Sequence, residues 1–231
     1  MAGNVANIDP YGPSAGRVHP EHYKRPDSLI IDIHGHIMTE GVDEEVRKHV
    51  PAMSLDAVKY ASPLTREISK KQNEDRHEEL VGVTKRLADM DKMCVDVMAI
   101  SPQPPQMHYD APEALGQETA QKVNDNIANA VSQAPDRLIG LGTVPLQNTD
   151  MALKELDRLI GELGFKGIQI GAQIGKDELS AERLEPFWAR CEELDIPILL
   201  HPTSFASDRF GAHYLTNIIG NPLDTTVAIH Y

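Results

Sequence analysis

The chain has 231 residues, 41% hydrophobic and 25% charged, which is long enough and apolar enough to bury a sizeable core. With 35 Asp and Glu against 22 Lys and Arg the net charge is −13, which repels phosphate backbones and anionic lipids and argues against nucleic-acid or membrane partners. No apolar run approaches the roughly 20 residues of a membrane span, no secretory leader opens the chain, and its 2 cysteines, Cys94 and Cys191, read as reduced core residues of a cytoplasmic protein.

Residues 1–27 mix Gly, Pro, Asn and His without any period and read as a poorly ordered arm ahead of a domain at 28–231. The stretch SLIIDIHGHI predicts a first strand over 28–37, followed by a long polar insertion from Met38 to Arg76. The segment HEELVGVTKRLADMDKM (77–93) places Leu80, Val83, Leu87 and Met90 on one face and predicts a single amphipathic helix. Four more strands follow at 96–101, 137–146, 165–171 and 196–201, each succeeded by a helical stretch, with Gly164 as a helix terminator and the last helix running to Tyr231. Strands this apolar, alternating with helices, predict a parallel sheet covered by helices. The period leaves two architectures open: a doubly wound open sheet, or part of an eight-stranded β/α barrel.

Asp32, His34 and His36 stand two apart near the end of the first strand, so their side chains share a face. Two neutral imidazoles so placed suit one divalent ion, and histidine is the usual nitrogen ligand of zinc. His201 ends the fifth strand, directly before Pro202. In parallel β/α sheets the carboxyl edge is where sites are built. Three histidines at two strand ends of one rim therefore predict a metal centre of His34, His36 and His201, with zinc as the expected ion. His108 and His213 lie in loops near that rim. Asp208 with Arg209 reads as a surface ion pair or as site residues, Pro102, Pro104 and Pro105 as loop stiffeners, and Trp188 as packing.

IDIHGHI, FKGIQIGAQIGKDELSAERLEPFWARCEELDIPILLHP and NIIGNPLDTTVAI, with DRLIGLGTVPLQ and LADMDKMCVDVMAIS between, resemble the aminocarboxymuconate-semialdehyde decarboxylase family, within the amidohydrolase-related group of the amidohydrolase superfamily. The resemblance runs from Leu29 to the C-terminus. It implies an α/β fold, a (β/α)8 TIM barrel of the metal-dependent hydrolase type, with a divalent metal at its C-terminal mouth. The family's H-x-H falls on His34 and His36, and its strand-five histidine on His201; its members hold the substrate carboxylate with arginines, for which the resemblance offers Arg66 and Arg86 as candidates. The family's catalytic histidine and metal-binding aspartate belong to strands six and eight. The resemblance thus implies that this chain supplies about the first five β/α units of a longer enzyme and is inactive alone. The activity implied is metal-dependent decarboxylation of a small unsaturated or aromatic carboxylic acid. Alternatives are a metal-dependent hydrolase or hydratase on the same scaffold, or an inactive truncated chain. A homodimer is implied by the resemblance only.

Overall fold

In the computed structural model, which describes residues 27–50, 62–203 and 207–231, five strands form one sheet in the order β1-β2-β3-β4-β5. These are β1 (Ile31–Ile37), β2 (Val97–Pro102), β3 (Leu138–Gly142), β4 (Gly167–Gly171) and β5 (Ile198–His201), and every neighbouring pair is parallel. Sequential order decides between the two architectures, because a doubly wound sheet reverses direction at its first strand whereas a barrel does not. The chain forms half of a β/α barrel. The N-terminal arm read at 1–27 lies outside the described residues but for Asp27.

The helices are α1 (Val42–Arg47), α2 (Pro63–Asp75), α3 (His77–Val81), α4 (Val83–Met93), α5 (Glu113–Gln133), α6 (Thr149–Gly161), α7 (Glu185–Glu193) and α8 (Asn221–His230). The last follows a π-helical turn at Thr216–Gly220. Two of these, α1 and α2, lie inside the stretch read from sequence as a polar insertion. Their apolar content is low: α1 buries only Val42 and Val46, and such a short pattern carries little periodic signal.

The helix expected over 77–93 is broken at Gly82, whose ψ of 133° ends α3 and opens α4. A Cβ at Gly82 would lie 2.6 Å from the carbonyl oxygen of Glu78, so the break needs a residue without one. Cys94, one residue past that segment, terminates α4 in the left-handed region at φ 58° and is half-buried. Cys191 is buried in α7, and both thiols are free. Gly164 takes φ 68° just past α6, as its reading as a terminator requires. The third strand is shorter than predicted because the buried run Thr143–Leu146 continues as loop rather than ladder.

Between sheet and helices lies one apolar core. Ile100, Leu138 and Ile168 from the strands meet Ile127, Leu159 and Phe187 from the helices, all essentially without solvent exposure. One polar cluster crosses this layer. Asn124 of α5 donates to the Thr143 carbonyl (2.8 Å) and to Glu155 of α6 (2.7 Å), and accepts from the Thr143 N–H (2.9 Å). Glu155 is also paired with Arg158 at 3.1 Å. A single amide thus satisfies the loop backbone where β3 ends, and anchors the carboxyl rim to two helices. Replacing Asn124 by Leu orphans both backbone groups of Thr143 in the interior. The expected cost is about 3 kcal/mol, read as a lowered urea midpoint with unchanged slope. A midpoint within experimental error of the unmodified protein would contradict this role.

Candidate metal centre

The ladder between β1 and β2 slips between Asp32 and Gly35, so three steps along β1 match two along β2. Such a bulge re-aims side chains at the cost of one ladder hydrogen bond. The Asp32 carboxylate repairs the loss by accepting from the His34 N–H at 3.0 Å. Arg86 of α4 secures the next residue, donating to the His36 carbonyl at 2.6 Å and to the Glu79 carbonyl at 3.1 Å. Arg86, a sequence candidate for holding a substrate carboxylate, is therefore spent on backbone beneath the site. Arg66 lies on the exposed face of α2.

His34, His36 and His201 converge. Their ring centroids lie 4.8 Å apart for His34 and His36, 5.5 Å for His34 and His201, and 5.1 Å for His36 and His201. One ligand atom from each falls within 4.8 Å of the others. Four strand spacings of a flat sheet would separate β1 from β5 by roughly 19 Å, so the curl of the sheet is what brings His201 to the H-x-H.

The protonation pattern suits a cation. His36 Nδ1 faces the Pro102 carbonyl and the Ser101 hydroxyl, each at 3.0 Å, and His201 Nδ1 faces the Pro202 carbonyl at 2.9 Å. A carbonyl only accepts, so both Nδ1 atoms carry hydrogen and both Nε2 atoms present bare lone pairs, the arrangement typical of ligating imidazoles. The Nε2 atoms of His34 and His36 stand 3.1 Å apart, close to the roughly 3.3 Å edge of a tetrahedral site with 2.0–2.1 Å bonds. Burial first, then the neighbouring His201 and His34 rings, push His36 down from 6.5 to about 4, against the Pro102 carbonyl. His201 is lowered as well, chiefly by burial, while the carbonyl of Pro202 opposes the shift. Three imidazoles around one point, His36 and His201 biased towards the neutral form, fit a divalent ion.

The walls of the mouth come from the loops after β2 and β5, through residues other than the histidines singled out there from sequence. The loop after β2 folds across β4: the Tyr109 hydroxyl accepts from the Gly171 N–H at 3.2 Å, and burial pushes this phenol up to about 12. A Cβ on Gly171 would meet Thr203 at 2.4 Å and Tyr109 at 2.9 Å, so glycine there permits the close approach. Asp224 of α8 accepts from the Thr203 N–H at 2.7 Å, tying the loop after β5 to the final helix, and lies near enough to favour a charged His201. Tyr109 lies outside every quoted motif, and Asp224, though inside NIIGNPLDTTVAI, carried no site reading of its own.

Of the remaining candidates, His108 is partly buried and its Nε2 stands 3.1 Å from Asp43 Oδ1 of α1, close in distance but too poorly angled for a hydrogen bond. His213 adopts φ 57° beyond β5. Trp188 donates to the Leu179 carbonyl at 2.9 Å and packs edge-on against Phe187. Asp208 and Arg209 lie in a short 3-10 turn whose Ser207 hydroxyl accepts from the Arg209 N–H at 3.3 Å. Pro104 and Pro105 open the 3-10 turn Pro104–Met107.

Residues 31–227 match the family described as Amidohydrolase. The chain belongs to the amidohydrolase family. Among similar proteins, the 2-amino-3-carboxymuconate-6-semialdehyde decarboxylase of Dictyostelium discoideum is 36% identical over 145 residues, covering 62% of this chain and 40% of that protein. The gamma-resorcylate decarboxylase of a Polaromonas species is 33% identical over 125 residues, covering 51% and 38%. A crystal structure of 5-carboxyvanillate decarboxylase from Novosphingobium aromaticivorans, complexed with manganese and 4-hydroxy-3-methoxy-5-nitrobenzoic acid, superposes with a TM-score of 0.72 at 25% identity, covering 88% of this chain and 59% of that one. This amidohydrolase chain thus spans about two fifths of the length of these curated relatives. Among its described residues no helix is long and apolar enough to cross a membrane.

The depressed value of His36 has a consequence for stability. Below 6.5 the unfolded chain binds a proton on this imidazole that the folded chain refuses down to about 4. The unfolded state therefore holds more protons in that window, and stability rises with pH across it. Metal-free protein should lose stability as pH falls from 6.5 towards 4, and His36→Gln should flatten the slope. Equal slopes in thermal melts of the two proteins would contradict the assignment.

Proposed function

We propose that this chain provides the metal-holding half of a decarboxylase that acts on a small unsaturated or aromatic carboxylic acid. The observation that carries the reading is the convergence of three imidazoles, His34, His36 and His201, on one point of the carboxyl rim. The names of the relatives support the reaction: an aminocarboxymuconate-semialdehyde, a resorcylate and a carboxyvanillate are all unsaturated or aromatic acids.

When bound, a divalent ion supplies Lewis acidity and the positive charge that an anionic substrate needs. This charge matters in a chain of net charge −13. Three nitrogen ligands favour zinc, whereas the carboxyvanillate decarboxylase holds manganese, so the chemistry of the site admits both. His36 and His201 offer Nε2 while their Nδ1–H groups are anchored to the carbonyls of Pro102 and Pro202. Tyr109, fixed on Gly171, keeps its proton and walls the mouth, so it excludes water from that side without contributing charge.

Purified protein should carry one divalent ion per chain, and His36→Ala or His201→Ala should weaken its retention. In a full-length enzyme that contains this half, carbon dioxide release from a panel of hydroxybenzoic and muconic-type acids should fall by more than about 100-fold on chelation and on loss of either ligand, and return when zinc or manganese is restored. Release that continues unchanged after chelation would contradict the proposal.

A further inference from the structure

Gln169 of β4 has no solvent exposure, and its amide reaches across the barrel interior to the end of β2, a strand with which β4 does not pair. Its Nε2 donates to the Pro102 carbonyl at 3.0 Å and its Oε1 accepts from the Ser101 hydroxyl at 2.7 Å. Both partners are the two groups that face His36 Nδ1. The amide orientation is settled by chemistry, since the reverse would set two acceptors, Oε1 and a carbonyl, against each other.

Serine is the ambiguous member of this set. The Ser101 hydroxyl has one hydrogen and three neighbours that can take it: Gln169 Oε1 at 2.7 Å, the Gly35 carbonyl at 3.1 Å, and His36 Nδ1 at 3.0 Å. A hydroxyl donating to Nδ1 would push the ring hydrogen onto Nε2 and cover the lone pair that points at His34 and His201. Gln169 holds the nearest acceptor and engages that hydrogen. Its own N–H meanwhile fixes the Pro102 carbonyl as the acceptor for Nδ1–H.

We propose that Gln169 is a positioning residue which, through Ser101 and Pro102, holds His36 as the Nδ1–H tautomer and leaves Nε2 bare for a divalent cation. The cation rests on the function proposed above, whereas the tautomer does not. Gln169 itself touches neither substrate nor ion.

The test joins nitrogen-15 NMR of the histidine rings in metal-free protein with zinc and manganese affinities from chelator competition. In the unmodified protein His36 should be the Nδ1–H tautomer. Gln169→Leu should populate the Nε2–H form and weaken affinity about 10-fold, within the range seen when outer partners of ligands are lost. Adding Ser101→Ala to Gln169→Leu removes the rival donor, so it should restore both the tautomer and most of the affinity. A purely structural defect would deepen in the double variant, and that result would overturn the inference. An Nε2–H tautomer of His36 in the unmodified protein would overturn it too, even if Gln169→Leu does not fold. Failure of the unmodified protein to bind either ion would refute the proposed function, while the NMR arm would still decide the role of Gln169.

Discussion

Three imidazoles from the first and fifth strands meet at one point only because the sheet between them is bent. Lateral hydrogen bonding sets strand spacing, and a flat five-stranded sheet would hold β1 and β5 roughly 19 Å apart. The observed centroid separation of 5.5 Å between His34 and His201 requires the two edge strands to turn their carboxyl ends towards a common axis. The sequential parallel order of β1 to β5 permits that curvature. The packing serves the same end, for Ile100, Leu138 and Ile168 press against helices laid over the sheet, and Asn124 fastens the end of β3 to α5 and α6.

Convergence alone would bring three basic rings into contact, which is useful only if they are uncharged. Burial and mutual proximity keep His36 neutral down to about 4, and carbonyl oxygens dictate which nitrogen keeps the hydrogen. The polar groups behind the rings therefore matter as much as the rings. Ser101, Pro102, Gln169 and Arg86 meet His36 or its immediate partners through hydrogen bonds within the interior, where each lost partner is costly. The stretch His34–His36 is correspondingly overdetermined: the bulge is capped by Asp32, the His36 carbonyl is held by Arg86, and its ring is held by β2.

Much of the frame was legible because it rests on long-range repetition. Alternating apolar strands and amphipathic helices announce a parallel β/α sheet, and His34, His36 and His201 stand at strand ends where such sheets place their chemistry. Local chemistry was legible where one residue type dominates, as with Gly164. The unread parts share a physical cause: they depend on contacts between distant segments. Gly82 looks like one interruption in a good helical period until the Glu78 carbonyl is seen beside it. The bulge in β1 leaves no mark in the alternation IDIHGHI, since the slip concerns the partner strand. Arg86 reads as a free cation on a helix, yet it spans to a carbonyl 50 positions earlier. Gln169 and Ser101, 68 positions apart, become a pair only when β2 and β4 face one interior.

The central claim is that the three imidazoles bind one ion together, and X-ray absorption at the metal edge addresses it most directly. Protein loaded with one equivalent of zinc should show three nitrogen neighbours at about 2.0–2.1 Å, with the multiple-scattering pattern of imidazole, and His201→Ala should remove one of them. A shell made only of oxygen, or an imidazole count that does not change in His201→Ala, would contradict the account.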